Sequence, residues 1–379
     1  MRIFFPLLIL IATGCKDSVK EKALDYKTSL LEIKLLETTP VNPWYTQLIA
    51  SDSGEYLFLL NHFEDKFQFL ELPSGKIAHE IAIQREGEHG VSGFNAGTVT
   101  SWDSLWVTNR PPNLVLTNFN GEVSKRIPII DDQIPLTTIK SNFDRRIHQY
   151  GNKIFGSQPL FMDHHGMNKD AIQKQRLVFS LDINTGDVKW YDVFYREDYW
   201  DNGKKPSGYS WTEKEGKLYI APWHDHEIQV FDMASGTVTN RKEVKSFHVN
   251  KFNYVNEIPP IEKAWLDRFS SDRYENFLYD KYRDVFYRIF LPSFDPENLE
   301  EEYNHRELEF SRPYSGVMVL DSELNIIGEH IFDKFQVYSL NNHFVGEKGL
   351  YISANNPFNP EYNEDMLRYL IFTPELRED

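Results

Sequence analysis

Two groups of side chains have the chemistry to hold a metal. His224-Asp225-His226 and Asp163-His164-His165 each set imidazoles beside a carboxylate, a donor combination suited to a first-row divalent ion. Both fall on connections between apolar runs, where histidines are also ordinary solvated loop residues. The reading carried forward is therefore no metal and no cofactor. A second set is suited to ligand recognition: Arg110, His164, Trp223, His224, Arg288 and Asn355. Arginine offers a planar fork to a carboxylate or phosphate, and tryptophan a stacking surface for a sugar or ring. Each has a plainer alternative, with Arg288 as a structural ion pair and Asn355-Asn356-Pro357 as a turn.

Strong catalytic signatures are missing. No glycine-rich phosphate loop opens a helix. Gly208-Tyr209-Ser210-Trp211 is followed by Thr212, not by the second glycine of a nucleophile elbow. His79-Glu80 and His226-Glu227 have Ile83 and Val230 where a zinc-protease helix needs its second histidine. Asp182-Ile183-Asn184-Thr185-Gly186 superficially resembles a calcium loop, but it lacks the later bidentate acid and reads as a hairpin turn. Acidic runs such as Glu300-Glu301-Glu302, and the Glu197-Asp198 pair, read as solvated rims rather than as a glycosidase pair.

Composition sets the frame that must position these residues. Of 379 residues, 41% are hydrophobic and 15% aromatic, enough for a large core and too much for wholesale disorder. The 41 Lys+Arg against 57 Asp+Glu give −16 with no basic stretch, which argues against a nucleic-acid partner. A single cysteine excludes an intrachain disulfide and a cysteine-based zinc cluster.

That cysteine has a telling position. Met1-Arg2 precedes a ten-residue apolar run, then Ala12-Thr13-Gly14-Cys15. Ten helical residues rise about 15 Å, half of a bilayer core, so the run is a leader and not a spanning helix. Small residues before a unique cysteine resemble a bacterial lipobox, with Ala12 in place of the commoner leucine. The expectation is a signal peptide over 1–14, acylation of Cys15, a polar tether over 15–28 and one domain over 29–379. A lipid membrane is then a partner through acylated Cys15. The mature chain would keep 40 basic and 57 acidic residues, or −17. Lys16-Asp17 faintly resembles charged signals that route some Bacteroidota lipoproteins to the cell surface.

One pattern recurs along the body: an apolar strand, a variable loop, a second alternating strand, a turn, then a third strand. Lys217-Leu218-Tyr219-Ile220 begins the clearest copy, which continues through Ile228-Gln229-Val230-Phe231-Asp232, the turn Ala234-Ser235-Gly236 and residues 237–244. Six such copies, each with an innermost strand before it (92–100 or 207–211, for example), predict an all-β fold. It is a six-bladed β-propeller of four-stranded antiparallel blades. The sixth copy lacks an outer strand, and residues 30–37 are expected to fill that place and close the ring. The excess length lies in insertions at 161–175, 251–274 and 292–312, with a short helix expected over 261–269.

The chain resembles a family of uncharacterised Bacteroidota lipoproteins with a TolB-like six-bladed propeller. The likeness is carried by the lipobox at Cys15, Tyr56-Leu57-Phe58-Leu59-Leu60-Asn61, the turn Leu72-Pro73-Ser74-Gly75 and Arg85-Glu86-Gly87-Glu88-His89-Gly90-Val91. Lys217-Leu218-Tyr219-Ile220 and Asp284-Val285-Phe286-Tyr287-Arg288 extend it. The resemblance implies fold and location, and no activity.

The function read from the residues is a lipid-anchored extracytoplasmic propeller in the bacterial envelope, at the outer membrane. There it acts as a binding or scaffolding module for a glycan, peptide or envelope protein. The alternative is a carbohydrate- or peptide-processing enzyme with its site at the central channel mouth, where loops from every blade converge. A purely structural partner of an envelope complex is the third reading.

Overall fold

The computed structural model of the chain describes residues 23–36, 38–109, 113–130, 139, 141–142, 144–157 and 166–376. Strand β1 (Tyr26–Lys34) comes first. Blade one holds β2 (Thr46–Ser51), β3 (Gly54–Asn61), β4 (Lys66–Glu71) and β5 (Ile77–Ala82). Blade two holds β6 (Phe94–Ser101), β7 (Ser104–Asn109), β8 (Asn113–Thr117) and β9 (Val123–Pro128). Blade three is β10 (His148–Tyr150), β11 (Lys153–Gly156), β12 (Phe179–Asp182) and β13 (Val188–Trp190). Blade four is β14 (Tyr209–Lys214), β15 (Lys217–Pro222), β16 (Glu227–Asp232) and β17 (Thr237–Glu243). A helix, α1 (Ile261–Phe269), then precedes blade five, with β18 (Arg273–Asp280), β19 (Val285–Leu291), β20 (Gly316–Leu320) and β21 (Ile326–Ile331). Helix α2 (His305–Phe310) lies between β19 and β20. The sixth blade has the order β1-β24-β23-β22, from β22 (Phe344–Gly346), β23 (Gly349–Ser353) and β24 (Met366–Pro374). The six four-stranded sheets make the six-bladed propeller that the repeat predicts.

The ring closes as expected, with a shifted boundary. β1 pairs antiparallel with β24, from Tyr26 opposite Pro374 to Lys34 opposite Met366. The strand starts four residues before the expected 30–37 because Lys27, Thr28 and Ser29 are polar and exposed on an outer strand and interrupt the apolar signal. Glu37, the leader, Cys15 and residues 16–22 lie outside the described residues. Helix α1 falls where a helix was expected.

Six apolar clusters occupy the six blade-to-blade interfaces. This explains the sequence pattern strand by strand. In β3, Leu57 and Leu59 face blade six while Phe58 and Leu60 face blade two. A middle strand is thus buried on both faces and reads as a continuous apolar run, as in β19, where all seven residues are buried. Outer strands such as β17 meet solvent and read polar.

Turns after the third strands of blades three, four and five are capped by an aspartate at that strand's end. Asp182 Oδ1 accepts from the Asn184 and Thr185 N–H groups at 2.8 and 3.1 Å, with Gly186 at φ +82°. This is the calcium-like segment, and its carboxylate serves the turn. In blade five Asp321 does the same for Glu323 and Asn325, and Leu324 takes the left-handed position at φ +64°.

Antiparallel order within each blade sorts the connections by face. Short hairpins joining first to second and third to fourth strands share one face. Connections from second to third strands, and from each blade to the next, share the other. All three insertions therefore rise from that second face, the loop face.

Candidate functional site

On the loop face, the connection 222–226 of blade four is held from behind. Arg288, in the middle of apolar β19, donates to the carbonyls of Pro222, Asp225 and Val244 at 2.9, 2.8 and 3.2 Å. Its guanidinium carbon lies 3.5 Å from the centre of the Tyr274 ring. The Tyr274 hydroxyl is 2.9 Å from His226 Nδ1 and accepts from the Ser246 N–H at 3.0 Å. Burial, then the nearby Arg288 charge, lowers His226 to about 3, so it is neutral across the physiological range. Asp225 is buried beside Lys205 at 3.5 Å and Arg196 at 3.8 Å. Two members of the His224-Asp225-His226 group thus serve the framework. The third, His224, lines a cavity.

That cavity has a volume of about 510 Å³, within the range of small-ligand sites. Four separate connections enclose it: Pro206 from the link between blades three and four, Trp223 and His224 from blade four, residues 253–273 with α1, and Glu309 near the end of α2. Val255, Ile258, Pro259, Ile261 and Ala264 form an apolar wall, and Ser271, Arg273 and Glu309 a polar floor. Trp223 is positioned by its main chain, which accepts from the Tyr274 N–H and donates to Gly208 O, both at 2.8 Å. Its indole lies flush on Gly208, where an added Cβ would stand 2.1 Å from the ring.

The floor is part of a buried chain of charges. Arg273 Nε lies 2.7 Å from Glu275 and Nη1 2.6 Å from Glu309, whose other oxygen is 3.4 Å from Arg312. Burial alone would raise the Glu309 carboxyl, but Arg273 and Arg312 outweigh it and hold it down at about 2. For Glu275 burial wins: Arg273 offsets it only in part, and the group is pushed up to about 7. Between Tyr274 and Phe277 the register of β18 shifts, so Glu275 and Asn276 sit in a bulge that re-aims them away from the regular ladder.

The structure brings together two of the six expected ligand residues, Trp223 and His224. Arg288 is fully buried directly behind them and spends its donors on main-chain carbonyls. Asn355 is buried in blade six, where it donates to Met366 O at 2.6 Å and accepts from the Arg368 N–H at 2.7 Å. Arg110 and His164, with Asp163 and His165, lie outside the described residues. Among the described residues no group of three His, Cys, Asp or Glu is arranged to hold a metal. Sequence reasoning missed Arg273 and Glu309, which are 36 positions apart and meet only because two insertions fold over one another. It also missed the apolar wall from 255–264, for which the insertion's Ile258, Pro259 and Ile261 were a usable signal.

No curated protein matches the chain. Among solved structures, a family member from Bacteroides vulgatus superposes with a TM-score of 0.78 at 22% identity, over 94% of this chain and 99% of that one. A putative exported protein from Bacteroides fragilis matches with a TM-score of 0.52 at 10% identity, over 93% and 96% of the two chains. These likenesses are of fold. The family profile matches residues 22–331, most of the chain, and its description is a domain of unknown function. By that match, and by a propeller shared along its length with a solved member, the chain belongs to the DUF4221 family.

Proposed function

We propose that this chain is a lipid-anchored extracytoplasmic binding module, held in the bacterial outer membrane through acylated Cys15, with its ligand site in the loop-face cavity. The single observation that carries the site is the enclosure of about 510 Å³ by four independent connections on a rigid ring. The leader, the unique cysteine and the acidic, disulfide-free composition support the location.

Binding is favoured over hydrolysis by the state of the carboxylates. Glu309 reaches the cavity, but Arg273 and Arg312 hold both its oxygens and keep it ionised, which makes it a poor base. Glu275 is the group poised near neutrality, and it sits behind Arg273, away from the cavity wall.

A thermal-shift screen with glycans, short peptides and small amphiphiles tests the site. A ligand of the native state raises Tm by mass action, and Ala264→Trp, which fills the cavity, should abolish the rise. A rise that survives Ala264→Trp places the ligand elsewhere. Labelling with an alkynyl fatty acid, lost in Cys15→Ala, tests the anchor.

A further inference from the structure

We infer that the cavity takes an amphipathic anion, a ligand with a ring or branched aliphatic body and one carboxylate, sulfonate or phosphate head. This rests on the reading of the cavity as the binding site and names the chemistry it selects.

The apolar half asks for a body. Ile258 and Ile261 are 72% and 64% exposed, unusual for large aliphatic side chains beside an indole face, and a ligand seated against Trp223 would cover them. The volume suits a ligand of roughly 15–25 non-hydrogen atoms.

The polar half asks for an acceptor, and a negative one. Arg273 is 8% exposed and lines the cavity. Its Nε and Nη1 face carboxylates, while Nη2 has no partner among the described residues and is not fully enclosed. A guanidinium nitrogen without a protein partner, on a residue that lines the cavity, is a preformed donor for an oxyanion. Arg268, exposed on the rim of the same cavity, has no ion pair among the described residues and supplies a second positive charge. The three guanidiniums of Arg268, Arg273 and Arg312 face Glu309 and Glu275, and burial keeps Glu275 partly protonated near neutrality. Asp267 is the remaining acid, on the rim with Arg268. Among the lining side chains the charges balance, Arg268 and Arg273 against Asp267 and Glu309, with Arg312 behind Glu309 on its second oxygen, so an anionic head is called for by the uncommitted Arg273 nitrogen and by Arg268 and not by a net field. A cation would meet guanidiniums. A neutral hydrocarbon would strand Arg273 Nη2, and a bare polar anion would leave Ile258 and Ile261 in water.

The test compares anilinonaphthalene sulfonate with N-phenylnaphthylamine, near-isosteres with and without the anionic head. Both are titrated by energy transfer from tryptophan into the full chain carrying Cys15→Ser, with Ala264→Trp giving the background outside the cavity. The expected result is tighter binding of the sulfonate. Arg268→Gln should weaken it roughly three- to tenfold and leave the neutral probe within about twofold. Arg268→Lys should keep most of the preference. Equal binding of both probes, insensitive to Arg268→Gln, would overturn the anionic head and leave the cavity reading standing. No binding of either probe above the Ala264→Trp background would overturn both.

Discussion

Arg288 and Tyr274 form a stacked pair at 3.5 Å, the guanidinium covering the ring while its nitrogens hold three carbonyls of the neighbouring connections. Burial lowers Arg288 to about 10, so it stays charged at physiological pH without a carboxylate in ion-pair contact among the described residues. Replacing it strands those carbonyls. Arg288→Met should cost about 3–5 kcal/mol, and Arg288→Lys most of that, since a point charge cannot reproduce the fork. Urea denaturation followed by tryptophan fluorescence reads the loss. Stability within 1 kcal/mol of wild type for Arg288→Met would show that the stack is not structural.

Gly208 is the seat of the Trp223 indole. A Cβ there would stand 2.1 Å from the ring, so Gly208→Ala should push the indole into the cavity at a cost of about 1–3 kcal/mol. Ligands identified by thermal shift should bind more weakly to this variant, with a changed Trp223 emission. Unaltered affinity would mean the indole does not shape the site.

Glu275 makes stability pH-dependent with a definite sign. Its folded value of about 7 lies above the ordinary glutamate value, so the unfolded chain releases that proton first. Native stability should therefore fall as pH rises from about 4.5 to 7 and level off above it. The loss is on the order of 3 kcal/mol, and Glu275→Gln should remove that slope. The same ionisation adds a negative charge behind the floor, so an anionic probe should bind less well above pH 7. Parallel pH profiles for wild type and Glu275→Gln would defeat both statements.

In β1 the buried side chains are Leu31 and Ile33, while Leu30 is 47% exposed. Leu31→Ala should cost about 2–4 kcal/mol, and Leu30→Ala under about 0.5. The reverse ranking by chemical denaturation would contradict the register of the closing strand.

The fold was legible because each middle strand is sandwiched between neighbouring blades. Leu57-Phe58-Leu59-Leu60 carries that fact in its composition, whereas the start of β1 does not, being polar and solvent-facing. The site was legible in part. Trp223 and His224 stood out as an aromatic and an imidazole between two clear strands, on a face that topology fixes. Arg288 reads in the sequence as a planar fork for a ligand, with a structural ion pair as the alternative. There the demand came from carbonyls of a folded-back connection, which no local pattern reveals. Arg273 and Glu309 were illegible because their pairing depends on how two insertions, α1 and α2, settle against each other.

Blade six is assembled from both ends of the described chain, since β1 finds its partner only in β24. Every nascent intermediate short of β24 therefore remains an open arc, with Leu31 and Ile33 uncovered on the β24 side and one blade interface unmade. Joining the two ends costs about 5 kcal/mol of chain entropy, and each doubling of length would add only about 0.6 kcal/mol, so insertions on the way are tolerated. The ring behaves as a clasp that shuts last, and its rigidity arrives with the final strand.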